Sequence, residues 1–544
     1  MRSSSSSSSR NRQFTVLAAS LIALYGAAGG AQAIEFDTGN PDLTVRWGNT
    51  VRVNLGVRAE SPDRAIANSP STDEGDNAYG RGDLVNGRVD LLSELDVAWA
   101  GRYGFRVSGS AWYDGAFNRT VHTAPGLESR GSYFNNRFSS HTRRFHEGPS
   151  GEILDAYVFG NFDLGGMPLT VKAGRQTNLW GESVVLSTHS VSYAQAPVDG
   201  LKAVASPGAD AKEVSLPVGQ LYASLQLTDR LSLAGQYYYE WKPTRLAEGG
   251  TFLAGTDFLL RGPDRFSAAP GVDLINHGLV EPKKRGDWGV AARYRMESIG
   301  ATVGAYYRVF DERSPTVSQN MAQRSYVAIY PENTKLFGLS FAKNIEGVSM
   351  GAELVYRDNT ALASSISDGA REGARGNTWH GLVNAITVFG QTAAFDGASL
   401  TAELAFSHLD KVSSGQQYFN GCVRPGLPER DEETGCATRN AAQGTIRFTP
   451  TWTGVRVGWD LAATAAVTVG LKGNSAVLGG GNYKAGSYTV GATLTYNQQH
   501  DFTIAYNDYL ATHRTDPVTG LIAASNGSQL QDRGWLSFAY KGSF

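Results

Sequence analysis

The chain of 544 residues is short of several things, and each shortage narrows what it can be. Beyond its N-terminus it has no apolar run of the ~18 or more residues that a membrane-crossing helix needs. Acid and base nearly cancel, with a formal net charge of -2. The broad basic field that a nucleic-acid partner demands is therefore missing. Catalytic signatures are missing as well: there is no G-x-x-x-x-G-K, no H-E-x-x-H and no C-x-x-C. The glycine-rich "GGGN" at 479–482 sits in a β context with no helix after it, so it is a turn and not a phosphate loop. Nine histidines are scattered without metal-ligand spacing.

Only two cysteines occur, Cys422 and Cys436, at either end of the polar stretch "CVRPGLPERDEETGC". An exported chain meets an oxidising compartment, so a disulfide is the leading reading and a metal site the weaker one. Export itself is read from residues 1–33. Arg2, Arg10 and Arg12 make a basic start, an apolar and small-residue stretch follows, and Ala31-Gln32-Ala33 offers the small-x-small cleavage pattern. The expected division is a signal peptide over 1–33 and one β-barrel over 34–544.

What the chain does have is alternation. "TVRWGNTVRVNLGVR" places Val45, Trp47, Val51, Val53, Leu55 and Val57 on one face and Arg46, Arg52 and Arg58 on the other. "RVDLLSELDVAW" sets Val89, Leu91, Leu95 and Val97 against Asp90, Glu94 and Asp96. "WGVAARYRM" sets Trp288, Val290 and Tyr294 against Arg293 and Arg295. A period of two belongs to a half-buried strand and not to a helix. Short turns and long polar connections follow each other in strict alternation. That is the layout of a transmembrane barrel with tight periplasmic turns and long extracellular loops. The expected fold is all-β: a single antiparallel barrel of about 18 strands (16–18) in the outer membrane of a Gram-negative bacterium. The segment 325–331 is read as loop. Aromatic residues near strand ends, among them Trp47, Trp99, Tyr103, Trp241, Trp288, Trp379, Tyr496 and Trp535, suit an interfacial girdle.

Charges on the inner face are tolerated only beside water. Arg46, Arg52 and Arg58 on the first strand and Asp90, Glu94 and Asp96 on the second can pair across the ladder. Arg106, Glu240, Arg293, Arg295, Arg308, Glu353, Arg357 and Glu403 extend the pattern around the wall. Such a row either braces the lumen or forms a polar track for a solute.

Three loops invite closer reading. "STDEGDNAYGRGD" (71–83) carries Asp73, Glu74, Asp76 and Asp83, a set that resembles calcium ligands only loosely and reads more simply as a flexible loop. "RRFHE" (143–147) offers Arg143 and Arg144 to lipopolysaccharide phosphate, against the plainer reading of solvated surface. The connection 179–213 is long enough to fold into a barrel mouth and set its width. There Asp199, Lys202, Asp210 and Lys212 are candidate constriction residues, and Arg175, Gln176, Trp180 and Glu182 are candidate anchors or solute contacts. Ser187, His189 and Ser190 lack an acid partner placed by sequence, so no catalytic residue, metal or cofactor is assigned.

The last stretch, "LSFAYKGSF", is read as the closing strand, pairing with the first near 44–58. Phe538, Tyr540 and Phe544 on its lipid face have the pattern read by the barrel assembly machinery.

Several blocks together resemble a large proteobacterial outer-membrane family filed as a domain of unknown function (family 1302). They are "ILDAYVFGNFDLGGMPLTVKAGRQTNLWGES" (153–183), "LPVGQLYASLQLTDRLSLAGQYYYEWKPT" (216–244), "YPENTKLFGLSFAKNIEGVSMGAELVYRDN" (330–359) and "QDRGWLSFAYKGSF". The most specific parts are Gly174, Arg175, Gln176, Trp180, Gly181, Glu182 and Ser183, with the Asp532-Arg533 pair before the last strand. The 409–443 loop shares no pattern with the family. The resemblance implies a barrel that passes a hydrophobic or amphipathic small molecule, working beside a resistance-nodulation-division-type inner-membrane permease and a periplasmic protein. A structural or docking barrel is the alternative, and an outer-membrane enzyme the second alternative.

Overall fold

The computed structural model describes residues 34–544 apart from 207, 208, 210, 425, 427 and 528. The expected signal segment 1–33 and the candidate Asp210 lie outside the described residues.

Eighteen antiparallel strands form the wall. They begin with β1 (Leu43–Arg58), β2 (Leu84–Trp99), β3 (Tyr103–Asp114), β4 (Ser150–Asp163), β5 (Pro168–Gln176) and β6 (Val218–Gln226). Next come β7 (Leu231–Tyr238), β8 (Trp288–Met296), β9 (Ala301–Phe310), β10 (Thr334–Ile345), β11 (Val348–Ala361) and β12 (Arg375–Phe389). The circuit ends with β13 (Gly397–Ser414), β14 (Asn440–Arg456), β15 (Trp459–Lys472), β16 (Gly486–Tyr496), β17 (His500–Leu510) and β18 (Trp535–Ser543). Each strand pairs with its neighbour in sequence, as a meander must.

The barrel closes where the alternation placed the seam. β18 runs antiparallel to β1, from Thr50 opposite Ser543 to Arg58 opposite Trp535. The pairing continues one residue further, because Phe544 N–H donates to Asn49 O at 2.8 Å and Asn49 N–H returns to Phe544 O at 2.6 Å. Where β18 ends, a short strand Ile34–Phe36 takes over the edge of β1, with Glu35 opposite Arg46. Closure removes the open strand edges that would otherwise seek another chain.

The outward face is apolar and exposed, as shown by Leu91, Val158, Val290, Leu339, Val383, Leu404, Val490, Ile504 and Phe538. A continuous belt of this kind is stable in lipid and not in water. Trp99 and Tyr103 flank the turn at 100–102, and Trp459 packs against Tyr496 at 4.8 Å by another short turn. At the opposite end Trp288 meets Tyr307 at 5.4 Å and Tyr356 meets Trp379 at 4.7 Å. Two aromatic residues assigned to this girdle belong elsewhere. Trp241 lies past the end of β7, buried against Tyr330 at 4.9 Å in the outer loops. Trp535 points inward and is 2 % exposed. The wall, its apolar belt and its aromatic ends make this an integral barrel of the outer membrane. No helix among the described residues is long and apolar enough to cross a membrane.

The long connections all lie at one end, and they are structured. Arg265–Ala269, Val272–Val280, Thr316–Asn320 and Ser325–Ile329 build a four-stranded sheet from two different loops. The segment read as loop around 325–331 thus contains a strand, but one outside the wall. In the 415–439 connection a disulfide joins Cys422 and Cys436, with Cα atoms 4.8 Å apart.

The acidic stretch 71–83 is not the flexible loop that its composition suggested. Asp73–Asn77 is a short helix, and Asp73, Glu74 and Asp76 are all buried. Their oxygens accept from donors far away in sequence: Asp73 Oδ2 accepts Ala124 N–H at 2.7 Å, and Glu74 Oε2 accepts the Ser132 hydroxyl at 2.5 Å. The "RRFHE" cluster is also packed rather than solvated. It lies on the helix Ser140–His146, with Phe145 stacked on Trp112 at 6.2 Å and Arg144 O accepting Trp112 Nε1 at 2.9 Å. Only Arg144 of its side chains is exposed.

Candidate functional site: a loop seated across the lumen

The connection between β5 and β6, residues 177–217, turns into the barrel. Irregular backbone inside a lumen must find partners for each N–H and C=O. Here the wall supplies them. On β11, Glu353 accepts Ser183 N–H at 3.0 Å and Val191 N–H at 2.6 Å, together with a close bond from Glu182 N–H. On β13, Glu403 accepts Val184 N–H at 3.0 Å and the N–H groups of Val185 and Leu186 at 2.7 Å each. The carbonyls face guanidinium groups. Arg308 on β9 donates to Val191 O at 2.8 Å and Tyr193 O at 2.7 Å, Arg313 donates to Ala194 O at 2.7 Å, and Arg357 on β11 donates to Thr188 O. Carboxylates hold the donors and guanidiniums hold the acceptors. Glu353, Glu403, Arg308 and Arg357 were among the inner-face charges that alternation had marked; Arg313, beyond the end of β9, was not.

The family block now has a physical reading. Gly181 has φ +95°, and a Cβ there would lie 2.5 Å from Glu353 Oε1. Only glycine fits that backbone at that distance from the anchoring carboxylate. Trp180 is buried against Tyr306, and its N–H donates to Gln195 Oε1 at 2.7 Å. Glu182 approaches Arg293 at 3.6 Å and Ser340 Oγ at 3.3 Å. Arg175 grips Glu240 through both oxygens, at 2.7 and 3.0 Å. Gln176 and Gln220 exchange side-chain-to-backbone bonds at 3.2 and 2.8 Å across β5 and β6.

The second arm of the loop reaches the other side of the barrel. Asp199 caps the helix Gly200–Ala205 through Lys202 N–H at 2.9 Å and pairs with Arg245. Glu213, on the short helix Ala211–Val214, takes Arg52 of β1 at 2.6 Å, with Lys202 at 3.8 Å. Lys212 pairs with Glu94 of β2. β1 and β11 stand on opposite sides of an 18-strand circuit, so the loop spans the lumen.

These contacts change the partners expected for the first two strands. Arg46 does stand opposite Asp96, and Arg52 opposite Asp90. The ion pairs nevertheless form elsewhere. Arg46 meets Glu35 at 3.0 Å, Asp90 meets Arg88 at 3.0 Å, and Arg106 on β3 gathers Glu94 and Asp96. Arg58 is fully buried and binds Asp76 at 2.5 Å and Asp532 at 3.3 Å. Next to it, Arg533 donates to Phe252 O at 2.6 Å and Ala254 O at 3.0 Å. The Asp532-Arg533 pair therefore locks three outer loops together at the barrel seam. Arg295 faces the lumen and is exposed.

The loop leaves one sector of the wall uncovered. From β14 to β17 the inward positions include Thr445, Thr464, Thr468, Thr489, Thr493 and Thr503, each partly exposed although inside the barrel. Thr468 bonds Thr445 at 2.8 Å, and Thr493 bonds Thr503 at 2.8 Å. A passage along this face would have threonines, alanines and the exposed Arg447 on one side and the paired charges of the loop on the other.

No group of three or more His, Cys, Asp or Glu is placed to hold a metal ion among the described residues. His189 is buried, with Nδ1 at 3.1 Å from His380 Nδ1 and Nε2 at 3.0 Å from Gly480 O. Its neighbours are thus another histidine and a carbonyl, not Ser187 or Ser190.

Solved structures with a related course of chain include the outer membrane channel DcaP of Acinetobacter baumannii, at 10 % identity and TM-score 0.37, covering 94 % of this chain and 99 % of that one. OpdK of Pseudomonas aeruginosa, solved with vanillate, matches at 10 % identity and TM-score 0.39 over 92 % and 98 %. A BenF-like porin from Pseudomonas fluorescens Pf-5 matches at 10 % identity and TM-score 0.41 over 92 % and 99 %. No curated protein matches the chain. The profile of one family, described as a protein of unknown function (DUF1302), matches residues 14–544, and the chain belongs to that family.

Proposed function

We propose that this barrel is a channel for a small amphipathic molecule, narrowed by the 177–217 loop and without covalent chemistry of its own. The observation that carries the reading is the accessible inner face of β14–β17, where inward threonines remain in contact with solvent beside a fixed loop. Small hydroxyl and methyl groups accept a solute with both polar and apolar surface, and the ordered charges opposite favour one orientation. Lipid and lipopolysaccharide surround the belt. Phe538, Tyr540 and Phe544 offer the face by which the assembly machinery would recognise β18. An inner-membrane permease of the resistance-nodulation-division type and a periplasmic protein are the partners that fit onward transfer.

Liposome swelling with purified protein tests the reading. Swelling is expected with small amphipathic solutes and should fall off with solute size. No swelling for any solute, with unchanged uptake in a deletion strain, would overturn it. The second reading, a docking or structural barrel, draws on the same loop: its two anchored arms would then serve as a plug.

A further inference from the structure

At the outer mouth, four of the long connections enclose a cavity of about 230 Å³. Its walls are largely apolar, formed by Leu216, Leu246, Leu260, Leu279 and Tyr330, and Lys242 reaches into them. The other ionisable groups around the cavity are held at ionic or hydrogen-bonding distance. Arg245 is held by Glu152 at 2.8 Å and by Asp199, His141 meets Glu248 at 3.1 Å, and Arg261 meets Glu281 at 3.0 Å.

Lys242 is different. Two carboxylates act on it, Glu240 and Glu152, and each is already gripped by an arginine: Glu240 by Arg175 through both oxygens at 2.7 and 3.0 Å, with Gly219 N–H at 2.8 Å, and Glu152 by Arg245 through both oxygens at 3.0 and 2.8 Å. That leaves Lys242 Nζ at 3.6 Å from Glu240 and 3.5 Å from Pro217 O. Burial holds its ammonium below the usual lysine range, with the Arg175 charge adding to the effect and Glu240 and Glu152 opposing it. An apolar cavity with a loosely held cation in its wall, one whose carboxylates are shared with arginines, is complementary to a molecule with a greasy body and a single negative end.

We propose that this cavity is a capture site for a small amphipathic carboxylate, with the carboxylate on Lys242 and the hydrocarbon part among Leu216, Leu246, Leu260, Leu279 and Tyr330. The site names the ligand class for the channel and rests on that reading for its purpose. Its binding is independent of flux. A ligand held here stands beside Leu216, at the end of the loop that spans the lumen.

The test is equilibrium binding to the full-length protein in lipid nanodiscs, using octanoate, octanol and octylamine as probes. Octanoate is expected to bind at least about tenfold more tightly than octanol, and octylamine most weakly. Lys242→Gln should reduce octanoate affinity by at least about tenfold and leave octanol unchanged, while Lys242→Arg should retain most of it. Equal binding of the three probes to the wild-type protein would overturn the proposal without needing any variant. So would equal octanoate binding by wild type and a folded Lys242→Gln protein. Failure of the channel reading would show instead as absent conductance with octanoate binding intact.

Discussion

The backbone N–H of Val191 donates to Oε2 of Glu353 at 2.6 Å, tying the middle of a long loop to the inner wall of the barrel. The same carboxylate also receives the N–H groups of Glu182 and Ser183. One ionised side chain therefore fixes three donors of an otherwise irregular segment.

Glu353→Gln keeps the size of this anchor but removes its charge and replaces one of its two acceptor oxygens with an NH2 donor, so either Val191 N–H or the Glu182 and Ser183 N–H groups lose their acceptor. Charge-assisted bonds exceed neutral ones by about 1 kcal/mol each. Hydrogen exchange at Glu182, Ser183 and Val191 is expected to accelerate at least about tenfold, while amides of β14–β17 stay protected. Unchanged exchange at these three positions would mean that the loop is held by other contacts.

Arg533 is the hub of the outer mouth. It is fully buried, donates to Phe252 O and Ala254 O, and stands 3.6 Å from Asp76. Arg533→Ala leaves Asp76 and Asp532 with less compensation, at a cost of about 3–5 kcal/mol. The wall has its own ladder of backbone bonds, so the barrel should still assemble. Protease added to intact cells is expected to cut within 59–83 and 239–287 in the variant and to spare the wild type.

The same region has a pH dependence. Burial pushes Asp257 up to about 7, with the nearby Asp73 charge adding to the effect, and Asp73 itself is pushed up to about 6 by burial. A carboxyl whose folded pKa lies above its unfolded value binds its proton more tightly when folded. It therefore costs stability as pH rises from near 4 through its folded pKa. The packing of the 59–83 loop is expected to be tighter at pH 5 than at pH 8. Asp257→Asn should flatten that difference and slow proteolysis of the loop at pH 8. An acid-loosened mouth would contradict this assignment.

The Cys422–Cys436 bridge closes a loop with a sequence separation of 14. In the chain-entropy picture its loss removes about 3 kcal/mol, all of it local to the outer connection. Cys422→Ser with Cys436→Ser should make 415–439 protease-sensitive and leave the heat-modified migration of the barrel unchanged. A fall in barrel stability would show that this connection braces the wall.

The inner face and the seam were legible because they rest on a period of two, and the strand number because short turns and long connections alternate; both patterns survive in a single sequence. Arg52 was legible as an inner charge, but its partner Glu213 was not, since the two are 161 residues apart and meet only through the inward loop. Glu353 and Glu403 were readable as wall charges, while their role as loop anchors depended on where 177–217 folds. Composition misled at 71–83, because buried carboxylates held by remote N–H groups look the same in sequence as solvated ones. Trp241 and Trp535 misled for a related reason: an aromatic near a strand end suits lipid or a packed loop equally well. Asp532-Arg533 stood out only by resemblance, and its physical reason, the joining of three loops, is a tertiary fact.

Planar-bilayer recording of the wild-type protein beside a Glu353→Ala, Glu403→Ala double variant tests the central claim most directly. The account predicts steady conductance from the wild type and a larger, noisier conductance from the variant, whose loop has lost both anchoring carboxylates. A silent wild type, or a variant with the same conductance as the wild type, would contradict it.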